Sequence, residues 1–149
     1  MSKQNQELIL VSQFVRNSKN EVLLLFRKDH RHYETPGGKL KRDECEQFQQ
    51  PREEELKKAA KRELHEEVGQ HIKISKQTLF RIVRFDVPDG RKAIAYKFVA
   101  DLLSGEPILQ EPELFDHFKW ITIDDLETMN LSPDLKLLGN ELKELKKNN

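Results

Sequence analysis

The chain has 149 residues, with 26 basic and 26 acidic side chains that leave a formal net charge of zero. Residues 1–149 read as a single domain, long enough to bury a real core. The charge balance argues against a nucleic-acid polymer or a membrane as partner, because such binders carry a basic excess.

Glu7 to Arg16 is rich in aliphatic and β-branched residues, and Glu21 to Arg27 repeats the pattern after the turn signal Asn17-Ser18-Lys19-Asn20, which predicts a hairpin. Lys28 to Lys41 contains Pro36-Gly37-Gly38 and reads as a loop. Pro51 to Val68 is the strongest helical segment. Pro51 suits its first position, Gly69 suits its C-terminal cap, and Leu56, Ala60, Leu64 and Val68 form a stripe at four-residue spacing. Thr78 to Val87 and Lys92 to Leu103 follow as strands around Pro88-Asp89-Gly90. The second shows no clean alternation, as expected of a strand covered on both faces. Phe118 to Ile123 is a further short strand, Asp125 to Met129 a short helix capped by Asp124, and Pro133 to Lys146 a terminal amphipathic helix carrying Leu135, Leu138, Leu142 and Leu145. Helices and strands alternating in this way predict a mixed α/β (α+β) domain.

No segment approaches the roughly 20 apolar residues that span a bilayer, and Met1 to Leu10 lacks the apolar region of a secretory leader. A lone Cys45 excludes an intrachain disulfide and a multi-cysteine zinc site, which suits a cytoplasmic setting.

Neutrality overall hides a local concentration: 17 of the 29 residues from Lys39 to Glu67 are charged. Most of these suit a solvated, ion-paired helix surface. The exception is the helix end, Arg62-Glu63-Leu64-His65-Glu66-Glu67-Val68-Gly69. Glu63, Glu66 and Glu67 share one face, where they repel one another, and they stand at the terminus where the helix dipole disfavours negative charge. Divalent cations are the natural compensation, and hard carboxylate oxygens suit Mg²⁺ or Mn²⁺. The alternative is that Lys58, Lys61 and Arg62 screen the glutamates.

Gly37-Gly38 followed by the run Arg62 to Gly69 resembles the signature of the Nudix hydrolases, G-x(5)-E-x(7)-R-E-U-x-E-E-x-G-U. Two departures stand out. About ten extra residues separate the glycines from the helix, so that either Glu44 or Glu54 fills the glutamate position before Arg62, and Gln70 replaces the final aliphatic residue. Glu54 is favoured because it shares an unbroken helix with the acidic face. Ser104-Gly105-Glu106-Pro107, Glu111-Pro112-Glu113 leading to Phe118-Lys119-Trp120, and Asp124-Asp125-Leu126 are similar to the distal part of MutT-like members.

The resemblance implies an α/β/α sandwich with a mixed sheet between helices. It implies a hydrolase that cleaves a pyrophosphate bond in nucleoside triphosphates or related nucleoside diphosphate derivatives by attack of water on phosphorus, with Mg²⁺ or Mn²⁺ as cofactor. Glu63, Glu66 and Glu67 match the family's metal-binding and catalytic positions, and Arg62 is expected to pair with Glu54 or Glu44 and hold the loop to the helix. Glu111, with Glu113 second, is the candidate for a further metal ligand from the loop before the Trp120 strand. Gly37 and Gly38 would provide close backbone approach and unusual dihedrals. Arg27 and Lys39 are candidates to meet phosphate oxygens. Asn130, with Asp134 as the alternative, is the candidate to read the base, and Tyr33, Phe85 and Phe115 are candidates to stack on it. His30, His32, His65 and Cys45 take no assigned role, and Trp120 is expected in the core. The expected partner is a small-molecule nucleotide, met by a monomer or homodimer. Dinucleoside polyphosphates, ADP-ribose and a non-catalytic sensor stay open as alternatives.

Overall fold

The computed structural model describes residues 7–87 and 89–147. Strand β1 (Leu8–Arg16) lies at the centre of a mixed sheet. Along one edge it pairs in parallel with β7 (Lys92–Ser104), from Leu8 opposite Ala93 to Arg16 opposite Asp101. On its other side it pairs antiparallel with β4 (Gly37–Lys39) and then, at Arg16 opposite Val22 alone, with β2 (Glu21–Arg27). Strand β2 carries β3 (His32–Glu34) and β8 (Phe115–Thr122), while β7 carries β5 (Lys73–Ile74) and β6 (Thr78–Asp86), all antiparallel.

The predicted hairpin is therefore one residue pair wide. Asn17 forms the turn, its side-chain oxygen accepting from the backbone N–H groups of Lys19 and Glu21. Beyond it the strands diverge, because β1 pairs there with β4. The Pro-Gly-Gly segment, expected as loop, supplies that strand.

Helix α1 (Glu53–Val68) covers one face of the sheet with Leu56, Ala59, Ala60, Leu64 and Val68, packed among Ile9, Val11, Val15, Leu23, Leu25 and Phe98. The opposite face is covered by short helical segments: a 3-10 stretch (Ile123–Thr128), α2 (Pro133–Lys136) and a second 3-10 stretch (Gly139–Leu145). Leu126, Leu135, Leu138, Leu142 and Leu145 all bury there against Phe14, Val22 and Leu24. The expected leucine stripe exists, but not on one helix. Helix α2 stops at Lys136, and Gly139 adopts φ +51°, a left-handed conformation at the start of the second 3-10 stretch that breaks the single helix expected there. At the other predicted boundaries, Pro51 lies outside α1, and Thr122 rather than Asp124 precedes the first 3-10 stretch. The result is the expected α/β/α sandwich, and among the described residues no helix is long and apolar enough to cross a membrane.

Candidate active site

Burial of its apolar stripe against the sheet fixes the rotation of α1, which turns its acidic end toward β4. Arg62 is the hub of that end. Its Nε and Nη2 donate to both oxygens of Glu44 at 2.6 and 2.8 Å, Nη2 also reaches the carbonyl of Lys39 at 3.2 Å, and Nη1 reaches Glu63 at 3.0 Å and Glu66 at 3.1 Å. The glutamate before the helix is thus Glu44, not the favoured Glu54, which is exposed and makes no ion pair among the described residues. Contiguity on one helix misled: Glu54 lies two turns back toward the N-terminus, whereas the extra residues fold so as to return Glu44 to Arg62. They form a 3-10 turn (Arg42–Glu44), pack Cys45 and Phe48 on the core beside Leu56, and dock where Glu55 accepts from the N–H groups of Glu46 and Arg52.

Gly37 and Gly38 are extended and need no positive φ, so the expectation of unusual dihedrals does not hold for them. Close approach does hold. A Cβ on Gly37 would collide with the backbone of Val11 and Ser12, and one on Gly38 would collide with the carboxylate of Glu63. Glu67 is buried, and its Oε1 accepts from the Gly37 N–H at 3.0 Å. Burial and the nearby Glu63 push the Glu67 carboxyl well above the usual range, and the Gly37 bond opposes them. Burial also raises Glu63, against the pull of Arg62.

The loop that follows β7 docks on the C-terminal carbonyls of α1, which would otherwise lack partners. Ile108 N donates to Val68 O and Gln110 N to Glu67 O. This brings Glu111 close enough to the acidic face for its carboxyl to be raised, by partial burial first and then by Glu66 and Glu113, while Glu113 itself is exposed. The four expected metal ligands therefore share one region, but among the described residues no three His, Cys, Asp or Glu side chains converge as a finished cage. The Arg62 guanidinium, through Nη1, donates to both Glu63 and Glu66. The donor set nevertheless fits a hard divalent cation: all its atoms are carboxylate oxygens, and Gly38 leaves the space that Glu63 occupies.

A cleft of about 510 Å³ opens on the other side of Gly37 and Gly38. Arg27, Lys39 and Phe85 line it, together with Glu34, Lys97 and Asp134. Arg27 pairs with Asp29 at 3.1 Å and Glu34 at 3.4 Å. Burial pushes the Glu34 carboxyl up to about 7 despite Arg27. On the floor, the buried Lys97 ammonium contacts Asp134 at 2.6 Å and Ser12 Oγ at 3.2 Å. Burial alone would raise Asp134, but Lys97 overrides it and holds that carboxyl below its ordinary value. Ser132 Oγ, near that carboxylate, is buried and has no hydrogen-bond partner among the described residues. Residues 130–132 run beside β3, where Tyr33 N donates to Asn130 O and Ser132 N to Tyr33 O, and this pairing carries Asp134 into the cleft.

Asn130 itself is elsewhere. Its amide donates to the carbonyl of Arg31 at 2.7 Å and secures the β2–β3 turn, so Asp134, the alternative, is the residue in the cleft. Tyr33 and Phe115 are core residues, leaving Phe85 as the aromatic candidate in the wall. His30 and His32 also line the cleft, their rings stacked 5.3 Å apart. Trp120 packs, half-buried, against the α1-side core. Sequence reasoning overlooked Lys97, Ser12 and Glu34. The signal was there for Lys97: a lone charge inside the apolar run Ala93 to Ala100 breaks the strand pattern.

The NUDIX domain family model matches residues 9–140. No curated protein sequence matches significantly. Among solved structures, the chain is similar to the MutT protein from Methanosarcina mazei Go1, with TM-score 0.73 and 23% identity over 97% of this chain and 96% of that one. It is also similar to a MutT NUDIX hydrolase from Burkholderia pseudomallei, with TM-score 0.72 and 23% identity over 95% of this chain and 100% of that one. The NUDIX domain of NrtR from Shewanella oneidensis, solved with ADP ribose, matches with TM-score 0.71 and 18% identity over 95% and 90% of the two chains. These likenesses are ones of fold.

Proposed function

Because the chain belongs to the NUDIX domain family, we propose that it is a metal-dependent pyrophosphohydrolase, cleaving a phosphoanhydride bond of a nucleoside triphosphate or related nucleoside diphosphate derivative. The observation that carries this reading is a juxtaposition. An acidic helix end holding a buried, ionisable Glu67 and a cleft walled by Arg27 and Lys39 meet across the same two glycines.

In this reading Glu63, Glu66, Glu67 and Glu111 hold Mg²⁺ or Mn²⁺. The cation supplies charge neutralisation for the phosphate oxygens and orientation of the attacked phosphorus. Arg62 spaces the carboxylates and ties the helix to the Glu44 loop. Glu63 or Glu67 would orient the attacking water or accept its proton, as carboxylates on the acidic face that Gly37 and Gly38 approach. Arg27 and Lys39 bind phosphate oxygens. The nucleoside lies in the cleft against Phe85, with Asp134 and Ser132 available to its polar edge. Asp134, kept ionised by Lys97, is an acceptor and favours a base edge that presents N–H donors.

The decisive experiment incubates the protein and Mg²⁺ with nucleoside triphosphates, oxidised nucleotides, dinucleoside polyphosphates, NADH and ADP-ribose, and identifies the products. Pyrophosphate and a monophosphate from a triphosphate support the reading. Turnover of ADP-ribose alone would favour a second reading, hydrolysis of ADP-ribose, which rests on the similarity to the ADP-ribose-bound NrtR domain. Binding without any turnover would mark a sensor. Glu66→Gln is expected to lower kcat by at least ~100-fold with the fold intact. Unchanged turnover, or unfolding, would count against the metal face.

A further inference from the structure

We propose that Gln13 and Gln77 are positioning residues for Glu67, acting through the Pro36–Gly37 peptide; the inference rests on the role given to Glu67 above. Gln77 Nε2 donates to Gln13 Oε1 at 2.9 Å, and Gln13 Nε2 donates to Pro36 O at 3.0 Å. The Gln13 backbone N–H donates to the same carbonyl at 3.2 Å. The other end of that peptide unit is the Gly37 N–H, which donates to Glu67 Oε1 at 3.0 Å. The amide orientations follow from chemistry. Pro36 O can only accept, so the Gln13 atom facing it is nitrogen, its oxygen faces Gln77, and Gln77 must present nitrogen.

A trans peptide is planar, with C=O and N–H pointing in opposite directions. Fixing the Pro36 carbonyl from behind therefore aims the Gly37 N–H forward. A carbonyl that accepts two bonds also polarises its own peptide and strengthens the N–H as a donor. Gln13 and Gln77 thus hold Oε1 of Glu67 in one place and leave its second oxygen as the one presented to a ligand.

Packing alone gives no reason for these amides. The other residues on the same face of β1, Ile9, Val11 and Val15, are apolar and bury against the α1 side. Gln13 is fully buried among them and Gln77 nearly so. An apolar side chain at position 13 would still leave Pro36 O satisfied by the backbone N–H. Two buried amides cost desolvation and side-chain entropy that a hydrophobic residue would not.

The test uses Gln13→Met and Gln77→Met, singly and together; both keep chain length and remove the amide. The first readout needs neither metal nor substrate: the Gly37 amide proton in a ¹H–¹⁵N spectrum. It is expected to move upfield in Gln13→Met, and less in Gln77→Met, as its bond to Glu67 loosens. The second is Mn²⁺ binding, expected to weaken about tenfold in Gln13→Met, the low end of what losing the hydrogen-bond support of a metal ligand costs. The third is steady-state kinetics, in which kcat falls while KM for the nucleotide stays put. In the double variant the second substitution adds little, because the links are in series. If Gln13→Met fails to fold, Gln77→Met carries the same tests. A Gly37 amide that stays in place in every folded variant overturns the proposal, as do fully additive effects. Absence of Mn²⁺ binding and turnover in the unsubstituted protein would sink the proposed function, while the Gly37 shift would still report whether the two glutamines aim the peptide.

Discussion

Glu67 combines burial, carboxylate neighbours and a single backbone donor, and its ionised form is therefore costly. A carboxyl raised on folding stabilises the protein below its unfolded value near 4.5, and that contribution is lost as pH rises through the folded value. At neutral pH and without divalent cations, Glu67→Gln is expected to raise Tm by about 2–4 °C, what ~1 kcal/mol gives in a domain of this size, as read by calorimetry in EDTA. Mn²⁺ should raise Tm of the unsubstituted protein and move the variant less. Glu34, titrating at about 7, sets a second pH effect. As pH falls through that value Glu34 loses its charge and no longer competes for Arg27, so KM for a phosphate-bearing substrate should fall, and Glu34→Gln should flatten that limb of the KM–pH profile. Glu44→Ala should lower turnover by unseating Arg62, whereas Glu54→Ala should leave both Tm and kcat where they are.

Elements were legible in proportion to how local their causes are. Helix α1 was readable because its stripe, its acidic first turn and Gly69 at φ +108° all lie within the segment. The strands were readable from composition, but not their partners. Nothing local to Gly37-Gly38-Lys39 shows that β1 will pair with it, and this non-local pairing turned an expected loop into a strand and an expected hairpin into a single pair. The acidic face was visible as charge at the wrong end of a dipole. The cleft floor was not, because it joins Ser12, Lys97 and Asp134 from three distant segments. That floor has its own energetics. Asp134 is held below its ordinary value, so its stabilising charge is present above the unfolded value of 3.8 and lost as pH falls through the folded one. Asp134→Ala strands the Lys97 ammonium and is expected to cost about 3–5 kcal/mol in denaturant unfolding. The pair Lys97→Met with Asp134→Leu should recover most of that loss.

Across the whole molecule, zero net charge proves to be a sum of unlike parts. The surface carries dispersed ion pairs such as Lys57 with Glu53 and Arg81 with Glu141, while carboxylates concentrate where α1 ends. The balance that counted against polymeric anions leaves small ones open, since on the proposed reading they would be met through cations and through Arg27 and Lys39. The sandwich itself follows from two apolar layers, one on each side of the sheet, with β4 at the place where both the acidic face and the cleft reach backbone. Arg62 and Glu44 meet at 2.6 Å although 17 residues separate them. The requirement falls on where the two ends of that segment stand, not on how much chain joins them, and lengthening such a loop costs only ~0.6 kcal/mol per doubling. Its exposed stretch at Gln49 and Gln50 is therefore a natural port for grafted sequence, where an epitope or a reporter group could ride beside the candidate site without entering it.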